Sequence, residues 1–287
     1  MADNVWIIGF GKIALRVAER LQKPRITGLV RKDEVAEKIL SLGITPLVAD
    51  LNESASLSDL DVSGDEVYFF APPSQIDDTD HHMRNFLAAI KGQAPRKILY
   101  ISTTAVYGNS HGDWVSETSP TQPTTARGLR RLDAEQQLLI FAERDNVPAV
   151  ILRVGGIYGP DRLPMRQLQS ARPVLIEEDS GYTNRIHADD LASICITAME
   201  RGEGIYNVSD GQPGTMADYF IALAEALGYP VPERITLDEA REIMSPEMMS
   251  YLEESRRLDV SRLLDELGMA LRYPDLEAGI AQIKKHI

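Results

Sequence analysis

Val5-Trp-Ile-Ile-Gly9-Phe-Gly11-Lys-Ile-Ala14 sets four apolar residues, suited to a buried strand, directly before two glycines and the start of an amphipathic run. A G-x-G-x-x-A match alone is weak, but one that leaves a strand and opens a helix is specific. Each position has a physical task. Gly9 permits a tight turn, Gly11 lets backbone approach a pyrophosphate, and Ala14 is small enough for helix and strand to pack closely. The free N–H groups at the helix start then face the anion. Gly9, Phe10, Gly11, Lys12 and Ile13 are therefore expected to hold a dinucleotide, the plainer alternative being a glycine turn without a ligand.

Outward from this stretch the pattern alternates. A helix near 11–22 leads to a strand over 25–30, and a helix near 33–42 leads to a strand over 44–48, giving two βαβ units. Strands over 66–70, 97–101 and 149–153 follow, separated by helices near 79–91 and 127–145. Six parallel strands with helices on both faces predict a doubly wound α/β fold of the Rossmann type. After Arg153 the regularity fails, with Gly155, Gly156, Gly159, Pro160, Pro164 and Pro173 marking loops. A helix near 188–201 and a strand over 205–208 return to the sheet, before helical segments near 215–227, 237–243, 260–267 and 276–286. The expected division is a dinucleotide-binding domain over 1–154 plus about 186–209, and a smaller, mostly helical substrate lobe over 155–185 plus 210–287. The ligand cleft is expected at the carboxyl ends of the strands.

Composition narrows the function. The 287 residues are 44% hydrophobic and 25% charged, as in soluble globular chains. With 30 basic and 43 acidic residues the net charge is −13, which repels nucleic acid and leaves any phosphate-bearing ligand to local devices. The single cysteine, Cys195, lies in an apolar helical run, which excludes an internal disulfide or a cysteine-built zinc site and predicts a buried thiol. No metal site is expected. No stretch approaches the roughly 18 apolar residues of a membrane span. Met1-Ala-Asp-Asn4 lacks the features of a signal peptide, so a cytoplasmic location is expected.

The cofactor's second phosphate can be addressed next. Sites that prefer NAD place an acidic residue about 20 residues beyond the glycines, where it binds the ribose hydroxyls. Arg31 stands here, followed by Lys32. A guanidinium can bind a 2′-phosphate bidentately, which favours NADP(H) over NAD(H). The alternative is a solvated charge at a strand end. Asp50, with Leu51, either contacts the adenine edge or forms a turn. Ala71 and Pro72 after the fourth strand either border the pyrophosphate and ribose or simply end the strand.

With that loop, Ser102-Thr-Thr-Ala-Val-Tyr-Gly108, Arg153-Val-Gly-Gly-Ile-Tyr-Gly-Pro160, Asn184-Arg-Ile-His-Ala-Asp-Asp190 and Tyr206-Asn-Val-Ser209 occur in order. On these motifs the chain resembles the NAD-dependent epimerase/dehydratase family, the extended short-chain dehydrogenase/reductases. The resemblance implies a Ser or Thr, a Tyr, and a Lys four residues after it, as the active site. The Tyr exchanges a proton with the substrate oxygen while hydride moves to or from the nicotinamide. Thr103 matches the hydroxyl position, and Ser102, Thr103 and Arg131 are implied to lie against the cofactor. Counting from Pro123 puts the Tyr at Arg127 and the Lys at Arg131, so neither expected residue is present. Arg131 can still supply positive charge, but Arg127 cannot be the acid or base, because its pKa exceeds about 12. In this the chain resembles the family's atypical branch, which lacks both.

Two readings follow. Tyr107, His111, Asp113 or Glu117 could supply the proton, although Tyr107 belongs to the family's usual Val-Tyr-Gly and is expected to pack. The chain could instead bind the dinucleotide without turnover, as a sensor or scaffold. The substrate lobe favours an enzyme, since Arg162, Arg185 and Arg257 stand where the resemblance implies arginines that hold a sugar nucleotide's diphosphate. Arg166, Arg172, His187 and Arg256 accompany them, and each arginine could equally be a surface ion pair. Asp190 is expected to cap a helix or link to a backbone loop. The expected partner is a small-molecule substrate, and the expected state is a monomer or a homodimer.

Overall fold

The computed structural model describes residues 4–21 and 25–285. The readings at residues 1–3, and the expected helix ends at 22 and 286, lie outside the described residues. The chain divides into two compact units. The first takes the residues up to Val106, with Pro123–Arg153 and Leu191–Tyr206; the second takes Tyr107–Gln122, Val154–Asp190 and the residues from Asn207 on.

A seven-stranded parallel sheet is built from β1 (Val5–Ile8), β2 (Ile26–Val30), β3 (Thr45–Val48), β4 (Glu66–Phe69), β5 (Lys97–Thr103), β6 (Ala149–Val154) and β7 (Gly204–Val208). Their order across the sheet is 3-2-1-4-5-6-7. Val5 pairs with Ile26 on one side and Glu66 on the other, so the order reverses between β1 and β4, the switch point where doubly wound sheets bind ligands. Every residue of β1 and β4 is buried, as expected for strands covered on both faces.

The helices of this unit are α1 (Lys12–Arg20), α2 (Asp33–Leu40), α3 (His81–Ala89) and α4 (Ala126–Asp145). Asp80 starts α3 by accepting from the backbone N–H groups of His82 and Met83. Phe69, Met83, Phe86, Tyr100, Leu138 and Phe141 form the core between sheet and helices. Within it sits one buried ion pair. Arg153 on β6 donates Nη2 to Glu135 Oε2 at 2.7 Å, and Ser102 on β5 donates its hydroxyl to Glu135 Oε1. Glu135 is 1% exposed and ties α4 to two strands. No helix among the described residues is long and apolar enough to cross a membrane.

The second unit is mostly helical, with Met216–Leu227, Leu237–Ile243, Pro246–Leu252 and Leu276–Lys284 as its main helices. Four small strand pairs stitch it together: Trp114–Val115 with Arg257–Leu258, Gly156–Tyr158 with Arg185–His187, Val174–Leu175 with Arg234–Ile235, and Tyr182–Thr183 with Gly214–Thr215. The first pair carries residues 107–122 into this unit. Tyr158 is its central aromatic residue, edge-on to His187 and Tyr219, and a Cβ on Gly279 would fall 2.2 Å from its hydroxyl. That glycine allows the last helix to lie against the ring. Asp190 accepts from the backbone N–H groups of Arg272 and Tyr273, so it links the helix start to a backbone loop.

Candidate functional site

In the first unit the turn between β1 and α1 makes a groove with the ends of β2, β3 and β4. Gly9 has φ 86°, and a Cβ there would fall 2.7 Å from the backbone of Ala71. Only glycine allows this approach, so the turn lies directly against the end of β4. Gly11 caps α1 without a side-chain hydrogen bond, and nothing lies within 4 Å of where its Cβ would be. The helix start therefore opens on free space, with N–H groups available to an anion. Phe10 turns its ring over Gly28 in β2, where a Cβ would meet Phe10 at 2.9 Å. Gly28 was not singled out in the sequence, although a glycine inside a strand marks close approach.

Arg31 and Lys32 follow β2 as exposed side chains at the groove's edge. Asp50 lies across from them, and its Oδ1 accepts from both the backbone N–H and the side-chain amide of Asn52 at 2.9 Å. The Asn52 backbone bond is the first cause holding this carboxyl below its ordinary range, with Asn52's side chain, Arg31 and His82 adding to it. Asp50 thus forms a turn while still lining the groove. His82, also unmentioned above, joins its ring nitrogens to Pro72 O at 2.8 Å and to Asn52 Oδ1 at 3.1 Å. The bridge fixes Pro72 and the Asp50 turn on opposite walls. Leu51 and Ala71 complete the lining and are buried.

Beside the end of β5, Thr103 is half-buried and its Oγ1 accepts weakly from Ala105 N at 3.4 Å. Ser102 is buried with its hydroxyl turned into Glu135, so its side chain serves the core rather than a ligand. Gly128, in the first turn of α4, lets the helix press on the turn after β5, since a Cβ would meet Ala105 O at 2.8 Å. A glycine inside a helical run was the available signal, and it was missed. Arg131 donates Nη1 to Ile101 O at 2.8 Å and to the Tyr100 hydroxyl at 3.0 Å. Among the described residues its Nε and Nη2 have no hydrogen-bond partner. Arg127 lies one turn earlier on the same helix face, since residues four apart share a face.

The other candidates for proton transfer belong to the second unit. Tyr107 is buried and donates to Asn207 Oδ1 at 2.6 Å. Glu117 accepts from Asn207 N at 2.7 Å. Both side chains are thereby used in holding Asn207. His111 and Asp113 are exposed, and His111 adopts a left-handed φ of 51°.

Of the three arginines expected to hold a substrate, Arg185 is buried, donates to Thr215 O and stacks over Tyr219 at 4.5 Å. Burial pulls its guanidinium below the ordinary value. Arg257 donates to Gly112 O at 2.6 Å between the rings of Trp114 and Tyr182. Arg162 is exposed at the end of the turn Pro160–Arg162. Cys195 is buried in the helix Ala188–Arg201, and burial pushes its thiol pKa up, which suits packing and not nucleophilic chemistry.

Residues 11–209 match the model of the NAD dependent epimerase/dehydratase family. The chain belongs to that family. A conserved protein of unknown function from Silicibacter pomeroyi has the same fold at a TM-score of 0.85 and 31% identity, covering 99% of each chain. A dTDP-D-glucose 4,6-dehydratase from Mus musculus is 33% identical over 123 residues, 39% of this chain and 34% of the dehydratase. A 4-hydroxy-2-methyl-3-oxo-4-farnesyl-3,4-dihydroquinoline-1-oxide ketoreductase from Stigmatella aurantiaca is 25% identical over 221 residues, 71% of this chain and 66% of the ketoreductase. The chain thus spans about a third of the first relative and just under two thirds of the second.

As a member of the epimerase/dehydratase family the chain works with a nicotinamide dinucleotide. The groove fits one, because the turn at Gly9 leaves no room for a side chain and the helix start at Gly11 is open.

Proposed function

We propose that this epimerase/dehydratase family member is an enzyme that binds NADP(H) in the Gly9 groove and oxidises or reduces a hydroxyl-bearing metabolite. The observation that carries the reading is the groove itself, with an open helix start at one end and Arg31 with Lys32 at the other. Gly9, Phe10, Gly11, Lys12 and Ile13 would hold the pyrophosphate, and Arg31 the 2′-phosphate. Asp50, Leu51, Ala71 and Pro72 would border the adenosine half. The dinucleotide, when bound, supplies the hydride acceptor or donor.

The chain's own residues supply the rest. The Thr103 hydroxyl would orient the substrate oxygen, and Arg131, held by Ile101 O and Tyr100, would direct its remaining N–H donors at a ribose or a developing oxyanion. Arg127 cannot move a proton, and Tyr107 keeps its own on Asn207. The proton would therefore come from another group or from water. The relatives' names span a nucleotide-linked sugar and a farnesylated quinoline, so either a sugar nucleotide or a less polar alcohol or ketone fits the family.

A second reading, a dinucleotide-binding sensor, draws support from the arginine that stands in place of the usual Tyr. The test is a panel of sugar nucleotides, alcohols and ketones, with NADP(H) absorbance at 340 nm as the readout. Turnover that Thr103→Val abolishes without loss of NADPH affinity is the expected result. Its complete absence, also after Arg127→Tyr with Arg131→Lys, would leave the sensor.

A further inference from the structure

The groove of the first unit carries a histidine that the cofactor reading leaves without a task. His82 stands half-buried in the first turn of α3 and lines the groove, with Nδ1 2.8 Å from Pro72 O and Nε2 3.1 Å from Asn52 Oδ1. A peptide carbonyl only accepts, so Nδ1 must donate. The orientation of the Asn52 amide is fixed too, because its Nδ2 donates to Asp50 Oδ1 at 2.9 Å and its oxygen is left facing the ring. Asp50 is an acceptor there, since the Asn52 backbone bond first of all holds its carboxyl below the ordinary range. Nε2 must therefore donate as well. A neutral imidazole has one N–H and can make only one of the two bonds, whereas an imidazolium makes both.

Those two bonds hold parts of the groove that the sheet keeps apart. Pro72 comes after β4 and Asn52 after β3, and both β1 and β2 lie between these strands. Asn85, one turn further along α3, donates to Leu51 O at 2.7 Å, a second hold on the same turn that does not titrate. The carboxyls that feel the ring's charge are Asp50 and Asp80, and Arg31 and Lys32 are the cations along the groove. Asp133 on α4 accepts from Asp80 N at 2.7 Å, and His81 on α3 itself is paired with Asp77. In a chain of net charge −13, one more cation beside Arg31 and Lys32 bears directly on how an anion is held.

We propose that His82 is a proton-dependent positioning residue of the groove: as an imidazolium it ties Pro72 to the Asn52 turn, and in that form the groove holds a phosphate-bearing dinucleotide more tightly. Loss of the proton breaks one of the two bonds and removes the charge. The proposal rests on the cofactor reading above. The probe is adenosine 2′,5′-bisphosphate, titrated by calorimetry into the full chain and into His82→Gln over a series of pH values. The ligand's own phosphate titration is common to both and cancels in their ratio. Wild type should bind about three- to fivefold more tightly at the acid end, the size of one partly exposed charge interaction, and the gap should close as pH rises, in step with the ¹⁵N titration of the His82 ring. Reciprocally, and without any variant, saturating bisphosphate should move the ring's titration to higher pH by about 0.5 to 0.7 of a unit, the same fold-change on a logarithmic scale. The proposal is overturned by equal affinities at every pH, by a gap that does not change with pH, or by a ring titration that the ligand leaves unmoved. Binding by neither chain would break the cofactor reading and this proposal with it, whereas the other failures leave that reading intact.

Discussion

In the first unit a groove is shaped by backbone, and in the second a cavity is lined by side chains. The groove at Gly9 depends on where the main chain runs: a left-handed glycine against Ala71, a bare helix start, and a turn locked by Asp50 and Asn52. The cavity at Met216 is bounded by side chains, those of Leu175, Phe220, Met244, Met248 and Tyr251 with it. A backbone site takes the same anion in any chain that builds the turn. A side-chain site changes its ligand with a few substitutions.

If the first unit is the rigid partner in this comparison, its buried ion pair is the place to break it. Glu135→Ala removes the buried carboxylate that pairs with Arg153 and should destabilise the first unit by about 3 to 5 kcal/mol. The chain has two tryptophans, buried Trp6 in the first unit and exposed Trp114 in the second, so a Trp114→Phe background makes urea unfolding by fluorescence report on Trp6 alone. A loss below 1 kcal/mol would show that the sheet does not lean on this pair.

The second unit should show its own dependence on pH. Burial pushes the Asp210 carboxyl up to about 6, against the Gln212 backbone bond and Arg185, which hold it down. The folded chain then keeps a proton that the unfolded chain, at about 3.9, has released. Asp210's contribution to stability is therefore fully present below about pH 4 and is lost as pH rises through about 6. Asp210→Asn should remove that dependence, so that wild type loses up to about 3 kcal/mol relative to the variant between pH 4 and pH 7. Parallel stability curves for the two proteins would contradict it.

A smaller effect sharpens the division of labour. Tyr107→Phe removes one buried hydrogen bond to Asn207 and should cost the second unit about 0.5 to 1.5 kcal/mol, leaving NADPH affinity and any turnover intact. Loss of turnover without loss of stability would make Tyr107 the missing acid.

The same contrast governs how much the sequence revealed. The doubly wound sheet and its helices are legible because parallel strands buried on both faces read as short apolar runs, and Gly9 and Gly11 fall where a strand meets a helix. Helix Leu237–Ile243 emerges with the bounds read from its pattern. In the second unit, Trp114–Val115 and Arg257–Leu258 are two residues each, too short for any period, and they come from segments more than 140 residues apart. Helix Pro246–Leu252 was missed, although Ser245 and Pro246 form a cap and first-turn signal that could have found it. Arg31, expected beside the glycine turn from its spacing, and Asp50, from its place at a strand end, both line the groove. The His82 bridge and the Ser102 bond to Glu135 were not foreseen, because each depends on which segments become neighbours.

The central claim is that the backbone groove of the first unit binds a nicotinamide dinucleotide and that Arg31 selects the phosphorylated form. Calorimetric titration of wild type and Arg31→Ala with NADPH and NADH tests it most directly. The account predicts tighter NADPH binding by wild type, a loss of about 1.5 to 3 kcal/mol for NADPH on removing the guanidinium, and little change for NADH. Equal affinities in wild type, or tighter NADH, would contradict the selection, and no binding of either would contradict the groove.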